Sequence, residues 1–221
     1  MVLRDVVERH DVSHPKAVVD LAHRLVDNVA SMYSINNFTG FLKSLGHKVP
    51  KSSVGEYLEW LEDAYAFFSV RLFDASLSRS LSNPKKIYCI DHAMAKSVGS
   101  GILVNSGHLL ENLIFIGLRA QWKDVFYFRT KNGREVDFIV PTHGKKKVLV
   151  QVCESIQSEK TREREFVALG DAMKELHLRE SWLVTLNEEE RISMPSGHVQ
   201  LVPAWRFLLD VATGNLTADW S

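Results

Sequence analysis

Apolar residues recur at helical spacing in the first part of the chain and at strand spacing in the second. Val18, Leu21, Ala22, Leu25 and Val29 predict a helix opening at Pro15, with Ser13 as its cap. Phe38, Phe41, Leu42 and Leu45 predict a second helix over residues 35–45, stopped by Gly46. Val54, Tyr57, Leu58 and Leu61 predict a third over residues 51–64, capped by Ser52 or Ser53. Residues 67–70 and 86–90 read as strands joined by a serine-rich loop, residues 76–83.

Beyond Asp91 the pattern changes. A helix is predicted over residues 109–122, with Leu110, Leu113, Ile114 and Leu118 inward. Strands follow over residues 125–129, 134–140 and 147–152, the first two joined at the hairpin signal Asn132-Gly133. A long helix over residues 160–178 buries Phe166, Leu169, Met173 and Leu176. A strand at 182–185, an edge strand at 199–202 and a helix from Pro203 to Leu209 complete the order. Residues 213–221 carry no structural signal.

Three helices followed by two strands is the order of a winged helix, here residues 1–90. Its recognition helix would present Glu56, Glu59, Glu62 and Asp63, which repel phosphate, so protein contacts suit that face better than DNA. Helix, three strands, helix, strand is the core of restriction-endonuclease-like nucleases, here residues 91–212. The expected class is therefore α/β (α+β), a winged-helix domain followed by a mixed sheet flanked by helices, with a tail at residues 213–221.

Nucleases of that fold gather acids at one sheet edge to hold a divalent cation, and a nearby lysine polarises the attacking water. The sequence offers Glu111 on the preceding helix, Asp137 on the second strand, and Gln151 and Cys153 on one face of the third. Cys153 stands where catalysis needs a lysine, and a thiol supplies no positive charge. Asp137 and Glu111 alone make a weak magnesium site. A displaced cation would have to come from Lys160, Arg162 or Lys147. Without one, Asp137 and Gln151 are hydrogen-bonding remnants that hold a sheet edge.

The stretches Tyr57-Leu-Glu-Trp-Leu-Glu-Asp-Ala-Tyr65, Asn83-Pro-Lys-Lys-Ile-Tyr-Cys-Ile-Asp91, His108-Leu-Leu-Glu-Asn-Leu113, Tyr127-Phe-Arg-Thr-Lys-Asn-Gly-Arg-Glu-Val-Asp-Phe138, Val150-Gln-Val-Cys153 and Lys160-Thr-Arg-Glu-Arg-Glu165 carry a family resemblance. Together they resemble the C-terminal half of a prokaryotic, especially archaeal, AAA ATPase family. The resemblance implies a winged helix and a nuclease-like domain of unknown function, behind an ATPase core. It also implies that Gln-Val-Cys without lysine is a family trait. The ATPase core itself needs GxxxxGK[ST] to cradle phosphates, and no such segment exists here, so no ATP site is expected. The chain then reads as the C-terminal part of a longer protein or the product of a shortened gene. Its ATPase partner would be another chain or a missing upstream half.

Composition narrows the classes. The 221 residues carry 27 Lys+Arg against 27 Asp+Glu, which excludes a global basic field for nucleic acid or anionic membrane. A local one remains: Arg129, Lys131, Arg134, Lys145, Lys146 and Lys147 form a candidate phosphate-contacting lip beside Asp137. Cys89 and Cys153 fit reduced thiols, and no apolar run spans a bilayer, so a soluble cytoplasmic protein is expected. The reading is a non-catalytic accessory module of an AAA-type ATPase that docks protein or nucleic acid and needs no cofactor. The alternative is a magnesium-dependent nuclease with a displaced catalytic cation, and a winged-helix regulator stands third. Oligomer formation is left open.

Overall fold

In the computed structural model, which describes residues 6–91, 105–142 and 146–217, the helical spacing of the first part becomes three helices. Helix α1 (Pro15–Asp27) starts at a proline, whose fixed φ suits a first helical position; His14, not Ser13, is the residue before it. Helix α2 (Ile35–Ser44) is capped by Ser34, whose hydroxyl accepts the Asn37 N–H at 3.3 Å. Helix α3 (Lys51–Asp63) follows Pro50 directly, so Ser52 and Ser53 fall inside its first turn and cap nothing. Most of the predicted apolar stripes are buried, among them Leu21 and Leu25, Phe38 and Leu42, Tyr57 and Leu61; Leu45, predicted inward, is exposed beyond the end of α2.

Strand β1 (Met32–Tyr33) precedes α2 and is too short to show an alternating pattern in sequence. It pairs antiparallel with β3 (Lys85–Cys89), which also pairs antiparallel with β2 (Phe67–Leu72). Between β2 and β3 the expected loop contains a helical turn and a half, α4 (Leu77–Ser82). Ser76 starts it by accepting the Arg79 N–H at 3.4 Å.

The second part contains α5 (Ser106–Gln121), β4 (Phe126–Arg129), β5 (Glu135–Pro141), β6 (Lys147–Val152), α6 (Glu159–Leu176), β7 (Glu180–Thr185), β8 (Glu190–Met194), β9 (Gly197–Pro203) and α7 (Ala204–Thr213). Gly133 makes the β4–β5 turn at φ +78°, the left-handed region that favours glycine. Strands β4, β5 and β6 form an antiparallel meander; β6, β7 and β9 run parallel; β8 returns antiparallel on β9. Two expectations change here. Residues 199–202 are internal to the sheet, and the edge is β8, whose charged sequence concealed it. The tail also begins later than expected: α7 takes in Thr213, and Asn215–Thr217 form a 3-10 turn that buries Leu216.

In strand order the sheet reads β1-β3-β2-β4-β5-β6-β7-β9-β8. Strand β2 belongs to two ladders. Phe67 to Val70 pair with β3, and Arg71 and Leu72 pair in parallel with β4. By packing, the chain divides into two units. One contains the residues up to Val70 and from Pro84 to Asn112; the other contains Arg71–Asn83 and the chain from Leu113 onward. The boundaries fall inside β2 and inside α5 rather than at Asp91.

Within the second unit, α6 covers one sheet face. Ala168, Leu169, Ala172 and Met173 pack with Val136, Ile139, Leu149, Leu183, Val199 and Leu201. On the other face Phe115 of α5 meets Phe138, ring centroids 6.3 Å apart. Val136 and Ile139 share a core although three positions separate them. Their partners Phe128 and Phe126 are only two apart, so β5 contains a bulge at Asp137–Phe138.

Candidate functional site

The bulge sets the site. The backbone register between β5 and β6 runs from Pro141↔Lys147 to Phe138↔Val150. One step further, side chains take over from the backbone. Gln151 Oε1 accepts the Asp137 N–H at 3.1 Å, and the Asp137 carboxylate accepts the Val152 N–H at 2.9 Å. Each strand thus caps the other where their ladder ends. The other strand neighbour keeps a normal contact, since Cys153 N–H donates to the Val184 carbonyl at 3.0 Å.

Helix α6 completes the group with a residue not singled out from sequence. Glu165 is buried, and its Oε2 accepts from Gln151 Nε2 at 2.8 Å. Its other oxygen accepts two bonds from the neighbouring Arg164 guanidinium, one from Nε at 2.9 Å. The periodic signal was present: Glu165 opens the stripe Glu165, Ala168, Leu169, Ala172, Met173 that α6 buries. Gln151 is fixed between two partners, its amide oxygen toward β5 and its amide nitrogen toward α6.

The electrostatics follow from this burial. Desolvation raises the Glu165 carboxyl above its ordinary range, against the Arg164 bonds, with Asp137 pushing it further up. Burial, and then the charges of Glu165, Glu188 and Asp137, push the Cys153 thiol up to about 12. Cys153 is therefore a protonated thiol inside an apolar cluster and no nucleophile at neutral pH. Glu188 is tied down as well: its Oε1 accepts from the Ser155 hydroxyl at 2.6 Å and the Ile156 N–H at 3.0 Å. Burial raises its pKa, but these bonds outweigh it and hold the carboxyl below the usual range.

Of the predicted site residues, Asp137, Gln151 and Cys153 lie together in the second unit. Glu111 belongs to the first. There its Oε1 accepts from Lys86 Nζ at 2.8 Å and the Tyr88 hydroxyl at 2.6 Å, all three buried. Next to it Asn112 clasps the backbone of Cys89, accepting from its N–H at 2.9 Å and donating to its carbonyl at 3.1 Å. Among the described residues no three His, Cys, Asp or Glu side chains come together in a group that could hold a metal ion. The cations proposed as stand-ins lie elsewhere. Lys147 sits over the Phe73 ring at 5.9 Å, Arg162 over Phe166 at 5.4 Å, and Lys160 is exposed. Arg164 is the cation that meets the group.

The basic lip divides. Arg129, Lys131 and Arg134 sit at the turn before β5, Lys146 and Lys147 after it, so one strand length, on the order of 20 Å, separates them. Lys145 lies outside the described residues. At the first turn α6 neutralises much of the charge. Arg134 bonds Asp171 at 2.6 Å, Asn132 bonds the same carboxylate at 2.9 Å, and the Lys131 N–H donates to Glu175. Arg129 pairs with Glu135 at 3.6 Å.

Among the described residues no helix is long and apolar enough to cross a membrane. Residues 106–207 match the model of a domain of unknown function (DUF4143), and residues 1–103 match that of a second (DUF8612). Over 216 residues the chain is 33% identical to an uncharacterised protein of Methanocaldococcus jannaschii, a match covering 93% of this chain and 47% of that protein. It is 26% identical over 141 residues to an uncharacterised protein of Haemophilus influenzae, covering 63% and 34%. The chain thus spans about half the length of the first of these curated relatives and about a third of the second. No solved structure matches. The chain carries, one after the other, the sequence signatures of two domains of unknown function.

Proposed function

We propose that this chain is a non-catalytic accessory module of an AAA-type ATPase. In this reading a winged helix is joined to a nuclease-like domain whose catalytic edge has become a structural clasp. The single observation that carries it is the Asp137–Gln151–Glu165 group. In the nuclease-like reading this group would correspond to the metal-holding edge, and its polar atoms bind backbone and one another. A protonated Cys153 and the absence of a three-donor cluster among the described residues support the same reading. For the first part, the order α1-β1-α2-α3-β2-β3, with β1 paired to β3, supports a winged helix. Exposed Glu56, Glu59 and Asp63 on α3 favour a protein partner over DNA. The family resemblance in the sequence suggests an ATPase supplied by an upstream region or another chain, and the greater length of the archaeal relative leaves room for a further domain.

Two measurements test it. Linear duplex and single-stranded DNA incubated with the chain in magnesium or manganese should remain uncut; cleavage abolished by Asp137→Ala would overturn the clasp and favour a nuclease using Arg164. An AAA-type ATPase encoded upstream should co-elute with the purified chain in size-exclusion chromatography. Failure of the two to associate would remove the accessory role while leaving the clasp intact.

A further inference from the structure

At the other end of β6 from Gln151 the second unit opens a cavity of about 320 Å³. It is lined by the starts of the parallel strands: Lys146, Lys147 and Val148 before and on β6, Arg179 and Trp182 before and on β7, and His198 on β9. Four residues along β6, on the order of 13 Å, separate Lys147 from Gln151, so the cavity is distinct from the clasp. Its size falls at the low end of small-molecule sites, roughly 300–1,000 Å³, and suits a mononucleotide-sized occupant.

The lining is unbalanced in charge. Lys146, Lys147 and Arg179 face one carboxylate, Glu180, which already has Arg191 at 3.9 Å. Lys147 sits over the Phe73 ring, while neither Lys146 nor Arg179 has an ion-pair partner among the described residues. The rest of the wall is apolar, from Val148, Trp182 and Leu216. Thr142 adds a second observation. Its Oγ1 is buried and, among the described residues, has no hydrogen-bond partner, a rare condition for a native hydroxyl.

The cationic wall is held in place. The Arg179 carbonyl accepts the His198 N–H at 2.8 Å. Gly197 has φ +143°, and a Cβ there would stand 2.1 Å from that carbonyl, so only glycine allows the approach. The backbones of Arg179 and His198 are thus fixed beside one another at the cavity wall. Cationic side chains and an indole on one lining are the chemistry that recognises an anion attached to a flat ring.

We propose that this cavity binds a small phosphate-bearing molecule with a planar ring, the phosphate on Lys146, Arg179 and His198 and the ring against Trp182. A free nucleotide and the phosphorylated end of a nucleic-acid strand share this chemistry. Isothermal titration of the full chain with adenosine 5′-monophosphate at low salt should show one saturable site, and adenosine should bind at least about tenfold more weakly. Arg179→Ala and Lys146→Ala should each weaken binding about tenfold, and Trp182→Leu should weaken it for the nucleotide but not for inorganic phosphate. Arg179 and Lys146 are exposed, so their variants should keep the parent melting temperature, which separates lost binding from lost folding. A 5′-phosphorylated oligonucleotide that outcompetes the mononucleotide would assign the site to strand ends; the reverse would assign it to free nucleotides; both support the site. No heat of binding up to about 10 mM nucleotide, or binding that Arg179→Ala leaves unchanged, would overturn it.

Discussion

Two buried carboxylate groups, one in each unit, are stabilised in opposite ways. Glu111 has a cation buried as deeply as itself: side-chain exposures are 4% for Lys86 and 10% for Glu111. Glu165 is 3% exposed and its arginine partner 71%, so the positive charge stays largely in water and amides do the rest. In a matched buried pair, removing either partner strands the other in a dry place. Glu165 is held by an amide and an exposed guanidinium, and burial raises its pKa. The lesson is that two buried acids can be held in place by quite different partners.

The comparison breaks most visibly at Lys86. Lys86→Met should cost about 3–5 kcal/mol in urea denaturation, because Glu111 stays buried with one donor fewer. Pairing it with Glu111→Leu should recover much of that loss, which no scheme without a direct pair would produce. Next comes the clasp. Asp137→Ala should cost about 1–3 kcal/mol, since the Val152 N–H loses its acceptor in a buried place.

Acid dependence sharpens the contrast without deleting atoms. The raised Glu165 pKa means that the native chain keeps a proton the unfolded chain has released. This contribution is full below the ordinary carboxylate range and is lost as pH rises through the raised value. Glu188 runs the other way: its lowered pKa contributes above the ordinary range and is lost as pH falls through the lowered value. Stability measured against pH should therefore lose one limb in Glu165→Gln and the opposite limb in Glu188→Gln. Equal profiles in both variants would contradict the assignment. The smallest effect concerns the thiols. With Cys153 pushed up to about 12 and Cys89 to about 11, iodoacetamide at mildly alkaline pH should label neither in the native chain and both in urea, read by mass spectrometry.

Much of this arrangement is written in periodicity, and the failures have physical causes. Gln151 lies within the regular strand β6, where alternation applies, and Cys153 follows its end and packs among the apolar residues under α6. Asp137 was assigned by the same alternation, but the bulge lets Val136 and Ile139 share a core, which no single-strand pattern reveals. Strand β8 escaped because an edge strand tolerates Glu190, Arg191 and Ser193 facing water. Glu165 was passed over inside a run of charges, although the helical stripe marked it as inward. The bonds of Glu111 to Lys86 and Tyr88 of β3 join residues far apart in sequence, and no local spacing announces them.

The shared strand β2 bears on how such chains can be dissected and how they can be inherited. The two sequence signatures divide the chain cleanly, one ending at residue 103 and the other starting at 106. The folded units do not divide there, since Arg71–Asn83 pack with the second unit. A gene fragment encoding the second signature alone would yield a sheet with β4 as a raw, unpaired edge, a template for aggregation. Recombination at the seam between the signatures would be penalised for the same reason. The seam between the two sequence signatures is thus not a seam of the fold, and fragments meant to fold alone are better cut to keep β2 with β4.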